Sequence, residues 1–167
     1  TIGVIEAREP QRVWSAGEVD VRVSALSRAS QRILQRLGVW PRMLELGVSP
    51  YREMHVWDAG GRGSIHFDCA DVGETDLGHI VENRVTQLAL WERLERQPGV
   101  RLMCPASLAR LHLDEPRPSV TLGDGRRIGA RLLVGADGRD SRVRGWAGIA
   151  SRGWAYDQRA IVANVTP

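Results

Sequence analysis

The stretch "RLLVGADGRDSRVR", residues 131–144, constrains this chain more than any other. Apolar residues run up to Ala136, an acid and a glycine follow, and a polar segment then spaces Ser141 among several arginines. A strand ending in Ala-Asp-Gly before a helix places a carboxylate at the carboxyl edge of a sheet, in the crevice where open α/β sheets bind ligands. There Asp137 can accept hydrogen bonds from a sugar hydroxyl and Gly138 permits close backbone approach. The helix start offers free N–H groups, and Arg144 can hold a phosphate bidentately. The same residues also read as an ordinary Asp-Gly turn beside a solvated arginine. A nucleotide-binding fold usually opens with a glycine-rich loop, and the start of this chain shows none.

The opening "TIGVIE" reads as a strand already under way, ending at the acid Glu6. An acid there is what a dinucleotide fold uses to hold an adenosine ribose, about 20 residues after its glycine loop; read alone, it is a strand-end acid. "GGRG", residues 60–63, contains a G-x-G, but it sits between "MHVWDA" and "SIHFD". A hairpin turn is expected, because a strand follows where a phosphate loop needs a helix N-terminus.

Helical spacing of Leu26, Ile33, Leu34 and Leu37 predicts a first helix, stopped by Gly38 and barred from continuing by Pro41. Val85, Leu88, Trp91 and Leu94 predict a second over residues 83–96, with Asn83 as its cap. Short strands follow in "VRLMC", "SLARLHLD", "SVTLGD" and "RRIGARLLVGAD", two of them joined by an Asp124-Gly125 turn. A short helix in "DSRVRGWAG" is expected to be capped by Asp140 and closed by Gly148, and "QRAIVANV" reads as a last strand. This order predicts an α/β chain with inserted antiparallel strands.

Composition narrows the function classes. With 43% hydrophobic and 26% charged residues the chain is globular, and no apolar run nears the roughly 20 residues of a membrane span. Cys69 and Cys104 lie far apart, which reads as two free thiols. All 23 basic residues are arginine, scattered among acids, so a nucleic-acid footprint is not expected. His55, His66, His79 and His112 show no metal-ligand spacing, and no catalytic triad stands out.

In combination, "IEAREP", "DVRVSALSRAS", "LGVW", "YREMHVWD", "IHFD", "LGHIVENRVTQLALWERL" and "LLVGADGRDSRVR" resemble the ubiquinone-biosynthesis aromatic-ring hydroxylases, flavin monooxygenases related to para-hydroxybenzoate hydroxylase. The resemblance implies an FAD/NAD(P)-binding Rossmann-like domain with inserted antiparallel strands, incomplete at both ends. Residues 1–153 would be a partial FAD-binding domain lacking its first strand and glycine loop, and 154–167 the first strand of a truncated substrate domain. It implies FAD as cofactor and NAD(P)H as reductant, with cofactor contacts from Glu6, Arg22, Glu82, Asn83, Asp137, Gly138, Ser141 and Arg144. No residue is implied as catalytic and none as a metal ligand. Arg84 is placed less securely, and His79, nearest the matched flavin stretch, reads as structural.

The implied reaction is hydroxylation of the ring of a polyprenyl phenol or benzoquinol. The implied partners are that substrate, other ubiquinone-biosynthesis proteins and a peripheral membrane contact, in a cytoplasmic or membrane-peripheral location. Two alternatives stand beside it, a flavin hydroxylase of a soluble aromatic acid and a non-catalytic binding module derived from a flavoprotein. Without a glycine loop the isolated chain is expected to bind flavin poorly. Two or three charge-assisted hydrogen bonds at roughly 1.5–3 kcal/mol each amount to about a thousandfold in affinity.

Overall fold

The computed structural model describes residues 1–15, 17–114 and 116–165. The chain divides into two compact units, each built from separate stretches of sequence.

The first unit takes Thr1–Glu9 and Gly99–Ile161. Strand β1 (Ile2–Ile5) pairs in parallel with β7 (Val100–Met103), with Ile2 opposite Val100 and Ile5 opposite Met103. Beyond β1 the ladder continues through Glu6, whose N–H donates to Met103 and whose carbonyl accepts from Ala106. Strands β8 (Leu108–His112), β9 (Ser119–Leu122) and β10 (Arg127–Gly129) form the expected antiparallel meander, β9 in the middle and buried. Its Asp124-Gly125 turn is present, with Gly125 at φ 86°. Helix α4 (Arg142–Trp146) follows.

Three expectations for the stretch after β9 are corrected. Only Arg127–Gly129 of "RRIGARLLVGAD" is a strand; residues 131–136 carry the right pattern but have no ladder partner, and Leu132 and Val134 lie exposed. The cap of α4 is Ser141, whose hydroxyl oxygen accepts from the Arg144 N–H at 3.0 Å, one residue later than Asp140. "QRAIVANV" forms no strand, because its backbone meets no partner among the described residues.

The second unit takes residues 10–98 and those from Val162 onward. Strand β2 (Val23–Ser27) and β3 (Ser49–Tyr51) flank β6 (Gly78–Glu82) in an antiparallel sheet. Neither β2, β3 nor β6 stands out as a strand in the sequence, where their polar and small residues mask the alternation. One face of the sheet packs on helices α1 (Arg28–Arg36), α2 (Trp40–Leu46) and α3 (Asn83–Glu95). Leu34, Val39, Trp40, Met43, Val81, Val85 and Ala89 form the core between them.

Helix α1 starts at Ser27, whose side chain caps it, and ends at Gly38, φ 74°. Of its expected apolar face Leu26 belongs instead to strand β2, only Leu34 is buried, and Ile33 and Leu37 are about half exposed. Pro41 opens α2 rather than ending anything: in a first turn its missing N–H costs no bond. Helix α3 begins where expected, but its cap residue is Glu82 and makes no side-chain capping bond; Asn83 is its first helical residue. Val85, Leu88 and Trp91 are buried as the spacing predicts. The hairpin is β4 (Glu53–Trp57) and β5 (Ser64–Asp68), followed by a 3₁₀ turn at Cys69–Val72.

Candidate functional site

The expected site residues fall into two groups. Glu6, Asp137, Gly138, Ser141 and Arg144 lie in the first unit, and Arg22, Glu82 and Asn83 in the second.

In the first unit the loop after residues 131–136 turns at Gly138, whose φ of 82° is a region that glycine enters without strain. Asp137 is exposed, and its carboxylate fastens the next helix. Oδ1 accepts a short hydrogen bond from the Ser141 hydroxyl, and Oδ2 accepts from the Val143 N–H at 3.1 Å. The Ser141 bond, reinforced by that backbone N–H, holds the Asp137 carboxyl below its ordinary range against the cost of burial. The Arg144 guanidinium donates to the Arg139 carbonyl at 2.7 Å, closing the loop on itself. Gly135 sits where an added Cβ would come within 2.8 Å of Val143 Cγ1, so the helix packs directly on the extended segment.

Gly138, Ser141 and Arg144 line a cavity of about 530 Å³, walled by apolar residues such as Leu111, Pro118 and Leu132. The hollow is open to solvent, with Leu132 and Ile149 on its wall exposed. Glu6 stands at the end of β1. Its Oε1 accepts from the Ala7 and Arg8 N–H groups at 2.8 and 3.2 Å, and Oε2 has no partner among the described residues. No hydrogen bond or ion pair joins Glu6 to the Asp137 loop among those residues.

In the second unit tertiary structure joins Arg22, Glu82 and Asn83 tightly. Val23 lies opposite Glu82 across the β2–β6 ladder, and the Arg22 carbonyl accepts from the Asn83 N–H at 2.9 Å. Asn83 Oδ1 accepts from the Ser24 hydroxyl at 2.6 Å. The Arg22 guanidinium is exposed and has no partner among the described residues, which leaves it available to an anion. Glu82 is committed internally: Oε2 accepts from the Asp20 N–H at 2.9 Å and from Arg84 Nε at 2.7 Å.

Arg84 organises this end of α3, a role the sequence does not disclose. It is buried, its guanidinium bonds Glu18 Oε1 at 2.8 Å and the Glu18 carbonyl at 2.6 Å, and it lies 4.5 Å over the Trp14 ring. Burial works against its charge, and the bonds to Glu18 and Glu82 outweigh that, so its pKa is raised. Only the fold brings Trp14 and Glu18 to residue 84, so no local pattern could have marked it.

His79 is buried on the helix-facing side of β6, edge-on to Trp40 with ring centroids 5.0 Å apart. Its Nδ1 lies 3.8 Å from Asp76 Oδ1. Cys69 and Cys104 both carry thiols, and burial pushes the Cys69 thiol up.

In the first unit, the half-buried carboxylate of Glu6 at the end of β1 can meet a ribose hydroxyl and the Gly138 turn leaves bare backbone open to a ligand; in the second unit, the exposed Arg22 can meet a phosphate. The chain is of the flavin-nucleotide-binding class. Residues 11–167 match the FAD binding domain family, and the chain belongs to it.

Among curated relatives, 3-demethoxyubiquinol 3-hydroxylase of Escherichia coli is 39% identical over 164 residues, covering 98% of this chain and 42% of that protein. A ubiquinone hydroxylase of Rhodospirillum rubrum is 39% identical over 165 residues, covering 99% and 38%. The human mitochondrial ubiquinone biosynthesis monooxygenase COQ6 is 36% identical over 156 residues, covering 86% and 32%. The chain thus spans about two fifths of the length of the first two. In fold it is similar to PqsL, a probable FAD-dependent monooxygenase from Pseudomonas aeruginosa, with a TM-score of 0.70 at 21% identity over 92% of this chain and 40% of that one. No helix among the described residues is long and apolar enough to cross a membrane.

Proposed function

We propose that this chain is the cofactor-binding part of a flavin monooxygenase that hydroxylates the aromatic ring of a polyprenyl phenol or benzoquinol on the way to ubiquinone. The observation that carries the reading is the Asp137–Arg144 loop, whose Gly138, Ser141 and Arg144 line an apolar cavity in a chain of the FAD binding domain family. The relatives' names supply the substrate class.

Each residue has a task within this reading. Glu6 accepts ribose hydroxyls through its unengaged oxygen, and Arg22 holds phosphate through its exposed guanidinium. Asn83 and Glu82 set the start of α3 through their bonds to Ser24 and Arg84. Asp137 and Ser141 hold the loop so that Gly138 presents bare backbone to the ligand, and Arg144, beside them at the cavity, braces the loop through the Arg139 carbonyl. When bound, FAD supplies the electron transfer from NAD(P)H and the activation of O₂ from which one oxygen atom enters the ring. The chain's own work is binding, orientation and exclusion of water. Residues 1–153 belong to the cofactor domain and 154–167 open the substrate domain; residues 166 and 167 lie outside the described set. The location is cytoplasmic or membrane-peripheral, with other ubiquinone-biosynthesis proteins as partners.

The test is to express the polypeptide at the length of its relatives and measure bound flavin and NAD(P)H oxidation with a short-chain prenylated benzoquinol and, separately, with 4-hydroxybenzoate. Retained FAD with prenylated product bearing one added oxygen is expected. Turnover of the soluble acid alone would move the protein to the aromatic-acid hydroxylases, and flavin binding without turnover of either would make it a binding module.

A further inference from the structure

Among the described residues Arg22 is held by its backbone. Its carbonyl accepts from the Asn83 N–H at 2.9 Å, and its own N–H donates to Asp20 Oδ1 at 3.0 Å. An aspartate that accepts from the N–H two residues on makes a local turn and fixes the chain across it. Asp20 is half-buried and is itself held from the start of α3. Its N–H donates to Glu82 Oε2 at 2.9 Å, the oxygen that also accepts from Arg84 Nε at 2.7 Å. Arg84 reaches one step further back, to Glu18 Oε1 at 2.8 Å and the Glu18 carbonyl at 2.6 Å. The Glu18 carbonyl and the Asp20 N–H are thus both pinned to the side chains of residues 82 and 84. The Asp20 carboxylate carries that pin forward to residue 22.

We propose that Asp20 is the positioning residue of Arg22: its carboxylate, anchored through Glu82 and Arg84, aims the Arg22 guanidinium at a phosphate. The inference rests on the flavin reading, in which Arg22 holds a phosphate of FAD. A long side chain magnifies any swing of its own backbone, so an exposed arginine binds well only if residue 22 is already fixed. The Asp20 bond fixes the N–H side of that residue and the Asn83 bond its carbonyl side. No ion pair joins the Asp20 and Arg22 side chains among the described residues, so the carboxylate supports the arginine without neutralising it. The task needs an acceptor at residue 20, and the charge is incidental to it.

The test measures FAD dissociation constants by equilibrium dialysis in the polypeptide at the length of its relatives. The variants are Asp20→Ala, Asp20→Asn, Arg22→Ala and the double variant Asp20→Ala with Arg22→Ala. Asp20→Ala should weaken binding about 5-fold, less than Arg22→Ala does, because the Asn83 bond still holds the Arg22 carbonyl. Asp20→Asn keeps an acceptor for the Arg22 N–H and should stay within about 2-fold of the unsubstituted protein. In the Arg22→Ala background, adding Asp20→Ala should change affinity by less than about 2-fold, since no guanidinium is left to position. Amide exchange at Arg22, faster in Asp20→Ala than in the unsubstituted protein, reads the same pin without flavin. A loss of equal size in both backgrounds would overturn the proposal and leave Asp20 a structural residue of the loop. Unchanged affinity or unchanged exchange in Asp20→Ala would overturn it too, as would an Asp20→Asn variant as weak as Asp20→Ala, which would tie the effect to charge. Failure of the unsubstituted protein to retain FAD would sink the flavin reading, and the proposal with it, so the two failures are told apart.

Discussion

The Ser141 hydroxyl donates to Asp137 Oδ1 and, through its oxygen, accepts from the Arg144 N–H, so one serine links the carboxylate of the Asp-Gly turn to the first turn of α4. With Val143 N–H on Oδ2, the Asp137 side chain spans the turn and fixes the helix start. The carboxylate therefore shapes the loop as well as offering itself to a ligand. Asp137→Ala should cost about 1 kcal/mol of stability, the scale of a lost helix-start interaction, measured by urea unfolding. In the flavin-loaded protein the same change should lower FAD retention, because the loop loosens. Asp137→Asn keeps an acceptor for Ser141 and should lose less on both counts. Full FAD retention in Asp137→Ala would reduce the residue to a turn former.

Arg22 offers the converse case. Its guanidinium is exposed and makes no hydrogen bond or ion pair among the described residues, so Arg22→Ala should leave unfolding stability unchanged within roughly 0.5 kcal/mol. Loss of one charge-assisted phosphate contact should nevertheless weaken FAD binding about tenfold or more, as read by equilibrium dialysis of the full-length protein. Stability and binding separate cleanly here, and a variant that loses stability instead would contradict the assignment.

Arg84 should behave oppositely to Arg22. Removing it leaves Glu82 partly buried and unpaired and strips Glu18 and Trp14 of their common partner. Arg84→Met should cost about 2–4 kcal/mol, and Arg84→Lys should recover only part, since an ammonium cannot bond Glu18, its carbonyl and Glu82 in one plane. Denaturant midpoints of the two variants check this.

Gly78, in the central strand of its sheet, is set by approach rather than by dihedral. A Cβ there would collide with the Leu26 carbonyl oxygen and lie 3.0 Å from the Tyr51 hydroxyl. The first is backbone of the paired strand and cannot swing aside. Gly78→Ala should therefore destabilise by about 2 kcal/mol or more, despite alanine's small size. A melting temperature equal to the unsubstituted protein's would show that β2 and β6 can part at no cost.

The acid response follows from Asp76. Burial pushes its pKa up, but hydrogen bonds from Arg28 at 2.8 Å and Thr75 at 3.0 Å, with the charge of Arg28, hold it below the ordinary carboxylate range. A depressed pKa in the folded state means stability that is fully present above the unfolded value of about 3.9 and is lost as pH falls through the folded value. Stability measured against pH should therefore fall below about pH 4. Asp76→Asn should be less stable at neutral pH and show a shallower acid loss.

Much of this was written in local pattern. Strand β1 announces itself by a short apolar run ending in an acid, α3 by the spacing of Val85, Leu88 and Trp91, the β4–β5 hairpin by two apolar runs around a glycine turn, and the Asp-Gly loop by its own residues. Periodicity and turn chemistry act over a few residues, so they are legible without a fold, and the motif combination led directly to the flavin hydroxylases. Strands β2, β3 and β6 were hidden because the serine, proline, glycine and histidine among their residues mask the apolar alternation, and α2 because proline reads as a stop until its position in a first turn is known. What only tertiary structure decided is which charges are spent and which are free. Glu82 and Arg84 are tied up by Asp20, Glu18 and Trp14, all far from them in sequence, while Arg22, next to them, keeps its guanidinium in water. Residues 131–136 show the same limit in the opposite sense, since a strand pattern becomes a strand only when another backbone supplies the hydrogen bonds.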